Sequence, residues 1–296
     1  EAGGALRGAT CSAEEQAEAE TIALVFAVTT RGVKVGAGDR FVKELAAFDI
    51  LLPSFALTAE CGFRYVVAMA YDRGDPFYDS APGREKVHNW FNANIQEPFE
   101  KANVDVELIL AETDNQVKKP GPAFTAGTKA AFEAGADWFY RVNDDTEFLD
   151  PWARKFTRGL ESLGPPYGVV GPKCHRCNSR ILVHDFTHRT HMEIFAGHYY
   201  PPQLSDWWMD DWISRVYGSK RTFMASACKA MHHTGKHGQR YQVDHSHQKF
   251  LQGLINEGHK RIASYAEEKG LLTDTELKGF RDDRTNGQPY KDLPKL

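Results

Sequence analysis

The chain has 296 residues, 42% of them hydrophobic and 12% aromatic, with a formal net charge of -4. That is enough apolar material for one large buried core, which excludes a mainly disordered chain. The near-neutral charge gives no overall pull toward nucleic acid or an anionic membrane surface, and no apolar run approaches the roughly 18 to 20 residues a membrane span needs.

Residues 1–20 are small and acidic, without the basic and apolar regions of a signal peptide, and are expected to form a flexible lead-in. From residue 21 the chain alternates short β-branched or aromatic runs with longer amphipathic ones. This spacing predicts strands over 21–30, 63–72, 104–112, 137–144 and 167–173, with helices near 40–59, 84–102, 122–134 and 150–163. About 30 to 40 residues per strand-helix unit is the period of an α/β domain with a mostly parallel sheet flanked by helices. Ligands of such sheets bind beyond the carboxyl ends of the strands. Asp72, Asp144 and Asp145 all fall at those ends.

After about residue 175 the composition turns rich in His, Trp and Tyr. The pattern predicts a helix over 205–218, capped by Ser205 or Asp206 and ended by Gly218. A strand over 221–233 and a loop follow, and then a closing helix or helix pair over 244–270, broken around Gly258. The expected organisation is one domain over 21–270, with a nucleotide-side half (21–175), an elaborated acceptor-side half (176–270) and a polar tail over 271–296. Cys11, Cys61, Cys174, Cys177 and Cys228 are odd in number, so at least one is free or pairs elsewhere. The pair in "CHRC" fits a zinc site, a local bridge or two plain thiols.

Three constellations carry chemistry. In "DWFYRVNDDTEF" the adjacent Asp144 and Asp145 must be offset by a cation or a set of donors. A hard ion such as Mn²⁺ or Mg²⁺ suits them, as does a plainer role in capping the helix near "LDPW". In "WWMDDW" helical spacing puts Trp208 with Trp212 on one face and Trp207 with Asp211 on another; a carboxylate walled by indoles makes a better general base. In "MHHTGKHG" an imidazole and a lysine could serve an ion and a diphosphate.

The strand ending in "NDDT" resembles the metal-binding segment of nucleotide-sugar-dependent glycosyltransferases of the GT-A fold. The resemblance implies a GT-A-like, Rossmann-related α/β fold. It implies transfer of a sugar, most simply from a UDP-sugar, to a hydroxyl on a carbohydrate or glycoconjugate acceptor. It makes Asp145 a direct ligand of Mn²⁺ or Mg²⁺, Asp144 a contact to the ribose or sugar, and Asn143 the variable first position. "MDD" resembles the acidic motif that supplies the base in inverting members, which implies Asp211 as base with Asp210 as its rival. "HHTGK" resembles the late histidine motif of the glycogenin-like branch. That implies His232 as a metal ligand and Lys236 on the pyrophosphate, with His233 and His237 as rivals.

By the same resemblance Thr29, Arg31 and Asp72 read the nucleotide, while His191, Tyr199, Trp207 and Trp208 are expected on the acceptor rim, where aromatic faces suit sugar rings. The compartment is a Golgi or secretory lumen if an anchor precedes this stretch, otherwise the cytoplasm. Two other readings remain: a nucleotidyltransferase using "TTRGVKVGAGDR" as a phosphate loop, and an inactive relative that binds carbohydrate or protein.

Overall fold

Alternation along strand β1 (Glu20–Val28) sets the architecture. Ile22, Leu24 and Phe26 enter one core, while Ala23 and Val25 enter a second on the opposite face. A strand buried on both faces carries an unbroken apolar run and lies inside a sheet rather than at its edge. The computed structural model of the chain describes residues 10–36, 39–238, 240–241, 243–273, 275–278 and 292.

The remaining strands are β2 (Phe63–Asp72), β3 (Val106–Thr113), β4 (Trp138–Arg141), β5 (Thr146–Phe148), β6 (Val169–His175), β7 (Asp185–His188) and β8 (Thr222–His232). With β1 they form one sheet in the order β3-β2-β1-β4-β7-β6-β8-β5. Neighbours are parallel from β3 through β4 and between β6 and β8; β7 is antiparallel to both its neighbours, and β5 is antiparallel to β8. The expected α/β class holds: a mostly parallel sheet flanked by helices, with an elaborated C-terminal part. Both expected halves contribute strands to this one sheet.

The helices are α1 (Ala13–Ala17), α2 (Leu52–Thr58), α3 (Ala81–Phe91), α4 (Glu97–Lys101), α5 (Pro120–Glu133), α6 (Ala153–Glu161), α7 (Thr190–Ile194), α8 (Met209–Val216) and α9 (Gln248–Glu268). Phe55, Val87, Phe91, Phe99 and Phe156 bring α2, α3, α4 and α6 onto the Leu24 face. Phe124, Ile194, Trp212 and Ile255 bring α5, α7, α8 and α9 onto the Val25 face.

Several expectations are corrected. The helix expected over 40–59 is a 3-10 turn (Asp39–Glu44), a π-turn (Ala47–Leu51) and then α2; that over 84–102 is α3 and α4 joined through a π-turn (Asn92–Gln96). Within the expected lead-in, Ser12 and Glu15 form a reciprocal capping box that starts α1, and Cys11 is bonded to Cys61. Cys174 and Cys177 are bonded to each other, and Cys228 is a buried free thiol. Of the expected tail, only 271–273, 275–278 and 292 lie within the described residues. No helix among the described residues is long and apolar enough to cross a membrane.

Gly258 does not break the closing helix; α9 runs unbroken through it. A Cβ there would lie 2.3 Å from Val216 Cγ2 on α8, so the glycine lets two helices approach closely. Alanine would gain about 1 kcal/mol of helix propensity, yet Val216 is fully buried and cannot swing away. Overpacking costs about 1–3 kcal/mol, so Gly258→Ala is expected to be destabilised by urea denaturation. A more stable variant would show that the helices have room to part.

Candidate active site

The chain leaves β4 at Arg141, turns through Asn143 to Asp145 with Thr146 N–H donating to Asn143 O (3.1 Å), and enters β5. It then pairs with β8 at the far side of the sheet, where Thr146 stands opposite His232. That register carries a histidine from 87 positions downstream to the acid pair. His232 Nε2 lies 2.9 Å from Asp145 Oδ1. No donor reaches this buried oxygen in hydrogen-bond geometry. Two ligand-type atoms therefore face one small space, an arrangement that suits a shared cation.

The rivals separate by strand alternation. His233 turns to Glu147 (2.7 Å), and His237 sits in the next loop on Asp49 (3.1 Å). Lys236 also pairs with Asp49 (2.7 Å) and does not line the cleft, which corrects its expected place on the diphosphate. Nor does either aspartate cap the helix after "LDPW": α6 begins at Ala153, and its N-cap residue is Trp152, which makes no side-chain capping bond.

A cleft of about 300 Å³ opens over these residues at the carboxyl ends of the parallel strands. Asn143, Asp144, Asp145, His232, Arg240 and Tyr241 line one end; Thr29, Arg31, Asp72, Asn115 and Lys119 line the other. Arg31 pairs with Asp72 (2.6 Å), and Asn115 Nδ2 donates to the same carboxylate (2.7 Å). Sequence reasoning missed Asn115, Lys119 and Arg240, because isolated polar residues in loops follow no period. Arg240 hydrogen-bonds Asp144 and reaches Asp145 at 3.8 Å. Burial raises the Asp144 carboxyl above its usual range, Arg240 opposing. Burial also works upward on Asp145, but His232 and Arg240 outweigh it and hold that carboxyl low. The two environments push neighbouring acids apart.

The second acid pair, Asp210 and Asp211, does not line the cleft. Arg141, fully buried, pairs with Asp185, and its Nη2 donates to Asp210 Oδ1 (2.7 Å). Tyr199 and Tyr200 donate their hydroxyls to the two oxygens of Asp185 (2.6 and 2.7 Å). Desolvation lifts the Asp210 carboxyl to about 7, with Arg141 opposing the rise. Its side chain keeps 23% of its surface exposed, and the Tyr241 hydroxyl at the cleft lies in its field. Asp211 is also raised by burial and answers to Arg215 instead.

The tryptophans do not wall either acid. Trp207 precedes α8 and is 49% exposed against His245, Trp208 is the helix cap residue, and Trp212 is buried against Phe195. Asp206, expected as cap, instead accepts from the Trp207 and Asp244 N–H groups and pairs with Lys119 (3.0 Å). His191 and Tyr199 cannot form an acceptor rim, for both are fully buried: the His191 ring meets the Tyr217 hydroxyl (2.9 Å) and the Tyr199 carbonyl oxygen (2.8 Å). Trp207 and Trp208 remain near the surface.

Removing one partner of a buried ion cluster typically costs about 3–5 kcal/mol. Arg141→Leu is expected to lose that much at pH 7, because it strands Asp185 and Asp210. Without the guanidinium nothing opposes the burial that already raises the Asp210 carboxyl above its unfolded value. Its charged form then costs stability and its protonated form does not, so part of the loss returns as the pH falls toward 5. Equal losses at both pH values, by chemical denaturation, would show that packing rather than charge accounts for Arg141.

No family model matches the chain, and no curated protein matches it. Among solved structures it is similar to S. aureus TarS 1-349 in complex with UDP, at 11% identity over 88% of this chain and 69% of that one (TM-score 0.44). It is also similar to TarS 1-349 with UDP-GlcNAc, at 11% identity over 88% and 70% (TM-score 0.45). Against GalNAc-T7 with UDP, GalNAc and Mn²⁺ the identity is 10%, over 90% of this chain and 54% of that one (TM-score 0.49).

Proposed function

We propose that this chain is a glycosyltransferase that moves a sugar from a nucleotide-sugar donor to a hydroxyl acceptor with inversion. The observation that carries the reading is the convergence of Asp145 Oδ1 and His232 Nε2, 2.9 Å apart without a hydrogen-bond donor on the oxygen, in a cleft at the strand ends. Asp145 and His232 would hold Mn²⁺ or Mg²⁺, whose charge would offset that developing on a departing diphosphate. UDP is proposed as the nucleotide on the resemblance carried by "NDDT", "MDD" and "HHTGK".

The chain's own residues then divide the work. Arg31, Asp72 and Asn115 offer a charged and hydrogen-bonding end for the nucleoside. Arg240 supplies a cation beside the acid pair, in the place first assigned to Lys236. Asp210, rather than Asp211, takes the proton of the attacking hydroxyl: it is anchored by Arg141 and its carboxyl titrates near neutrality, where a general base works best. Trp207 and Trp208 stand for the acceptor side, a carbohydrate or glycoconjugate.

A phosphate loop of the nucleotidyltransferase kind is disfavoured. The Thr30 N–H donates to Asp75 (2.7 Å), the Arg31 N–H to Thr29 Oγ1 (3.1 Å) and the Val33 N–H to Thr30 O (2.9 Å), so these backbone donors at the start of that stretch are taken; residues 37 and 38 of it lie outside the described residues. An inactive binder has no use for the Asp145 and His232 convergence.

Incubation with a panel of UDP-sugars should release UDP in the presence of Mn²⁺ and not after chelation. Asp145→Asn should abolish the metal dependence; unchanged ligand binding with no metal response in either protein would favour the binder. Asp210→Asn should lower kcat by about 10²–10⁴, with Asp211→Asn within a few-fold of wild type. Because the base must be ionised, wild-type kcat/KM should rise with pH through about 7 and then level off. A profile flat from pH 5 to 9 would remove Asp210 from that role.

A further inference from the structure

We propose that Cys174, Cys177 and His184 form a second metal site, for a soft ion such as Zn²⁺, open to the ion when the Cys174–Cys177 bridge is reduced to a dithiol. The site is independent of the glycosyltransferase reading. It arises where the β6–β7 hairpin comes apart. The two strands pair at Val169 with Thr187 and at Val170 with Phe186, and no further. The chain then makes a long excursion, turning at Arg176 in the left-handed region (φ 63°), before it rejoins the sheet at Asp185. Cys174 lies one residue before the end of β6, Cys177 lies in the turn and His184 immediately precedes β7.

One ligand atom from each of the three lies within 4.8 Å of the other two. The His184 Nε2 is 4.0 Å from Cys177 Sγ. This imidazole is buried yet poorly satisfied: Nε2 has a long 3.3 Å contact to Thr146 Oγ1, and Nδ1 has no hydrogen-bond partner. Nε2 is the nitrogen that faces the sulfurs, and an ion shared with two thiolates would take it in place of its long contact to Thr146. Two sulfurs and an imidazole select a borderline or soft ion, whereas the oxygen of Asp145 favours a hard one. The two sites are therefore chemically distinct although adjacent; the His184 and His232 rings lie edge to face at 5.5 Å. Three protein ligands leave a fourth position for water.

Reduction balances with a small thiol as the electron donor. Two thiol molecules give up two electrons and two protons to the bridge, leaving two cysteine thiols and one small-molecule disulfide. The incoming Zn²⁺ then displaces both thiol protons.

The test uses Co²⁺ and Zn²⁺ on the whole chain, reduced with a phosphine and desalted without air. Reduced wild type should develop a thiolate-to-cobalt charge-transfer band and retain about one zinc per chain on dialysis. Asp145→Asn should keep both signals. The oxidised protein and the Cys174→Ser/Cys177→Ser variant should lack the band, and His184→Gln should retain zinc at least tenfold more weakly. A reduced wild type without the band overturns the proposal, and so does a band that survives the double serine substitution, since it would come from Cys11, Cys61 or Cys228. If the double variant does not fold, the wild-type spectrum read with His184→Gln decides alone.

Discussion

Everything at the candidate site depends on the antiparallel register that sets Thr146 against His232. The four residues between β4 and β5, Val142 to Asp145, turn the chain away from the middle of the sheet and send it to the edge beside β8. A slip of one residue in that pairing would invert every side chain of β8. Met231 or His233 would then meet Asp145, and His232 would face Glu147. The ladder continues one bond further, the His233 N–H donating to Asp145 O at 2.9 Å, so the backbone holds the turn that carries the acids. Geometry made by strand pairing is stiffer than geometry made by loops, which suits a pair of ligand atoms.

A second consequence of alternation lies one strand back. Trp138 and Tyr140 enter the core beneath α6, while Phe139 and Arg141 point to the opposite face under α5 and α8. Arg141 thus reaches Asp185 and Asp210 from a strand that ends at the metal-type acids. A buried ion cluster of this kind is weak as a source of stability, because desolvation offsets most of the attraction. Its presence is better explained by orientation. The guanidinium fixes Asp210 from one side, and Phe124 and Tyr200 pack over its faces at 5.2 and 5.3 Å.

The parallel half of the sheet was legible because a strand buried on both faces is an apolar run of strand length, and the crossovers have a helical period. The acids at strand ends were legible for the same reason, and His232 because it closes the last strand. What failed was anything decided by tertiary context. His191 and Tyr199 look like surface aromatics in sequence, yet their polar atoms are satisfied internally, which lets them be buried. Gly258 looked like a helix breaker, but its cause is the neighbouring Val216. "WWMDD" suggested a helix from residue 205, whereas the Asp206 carboxylate binds Trp207 and Asp244 instead of capping one. The "SAEE" box at 12–15 was readable from spacing alone and was obscured by the small, acidic composition around it. Arg240 left no trace because a lone arginine in a loop has no period to reveal it.

The charges about the cleft explain why that arginine matters. Asp144 and Asp145 with Arg240 sum to one negative charge if His232 is neutral, and the pair is buried. Arg240 is committed to Asp144, the acid whose carboxyl burial raises; Asp145, held low, keeps an oxygen without a donor. In the proposed reaction a divalent ion would turn that single negative charge into a single positive one. A nucleoside diphosphate would then enter a site of opposite sign, and no rearrangement of the β4–β5 turn is needed to create it. An arginine bound to both acids equally would have filled the space instead. The asymmetry between two adjacent aspartates, one satisfied by protein and one left open, is what would let the cleft take the proposed cation instead of standing as a neutralised core.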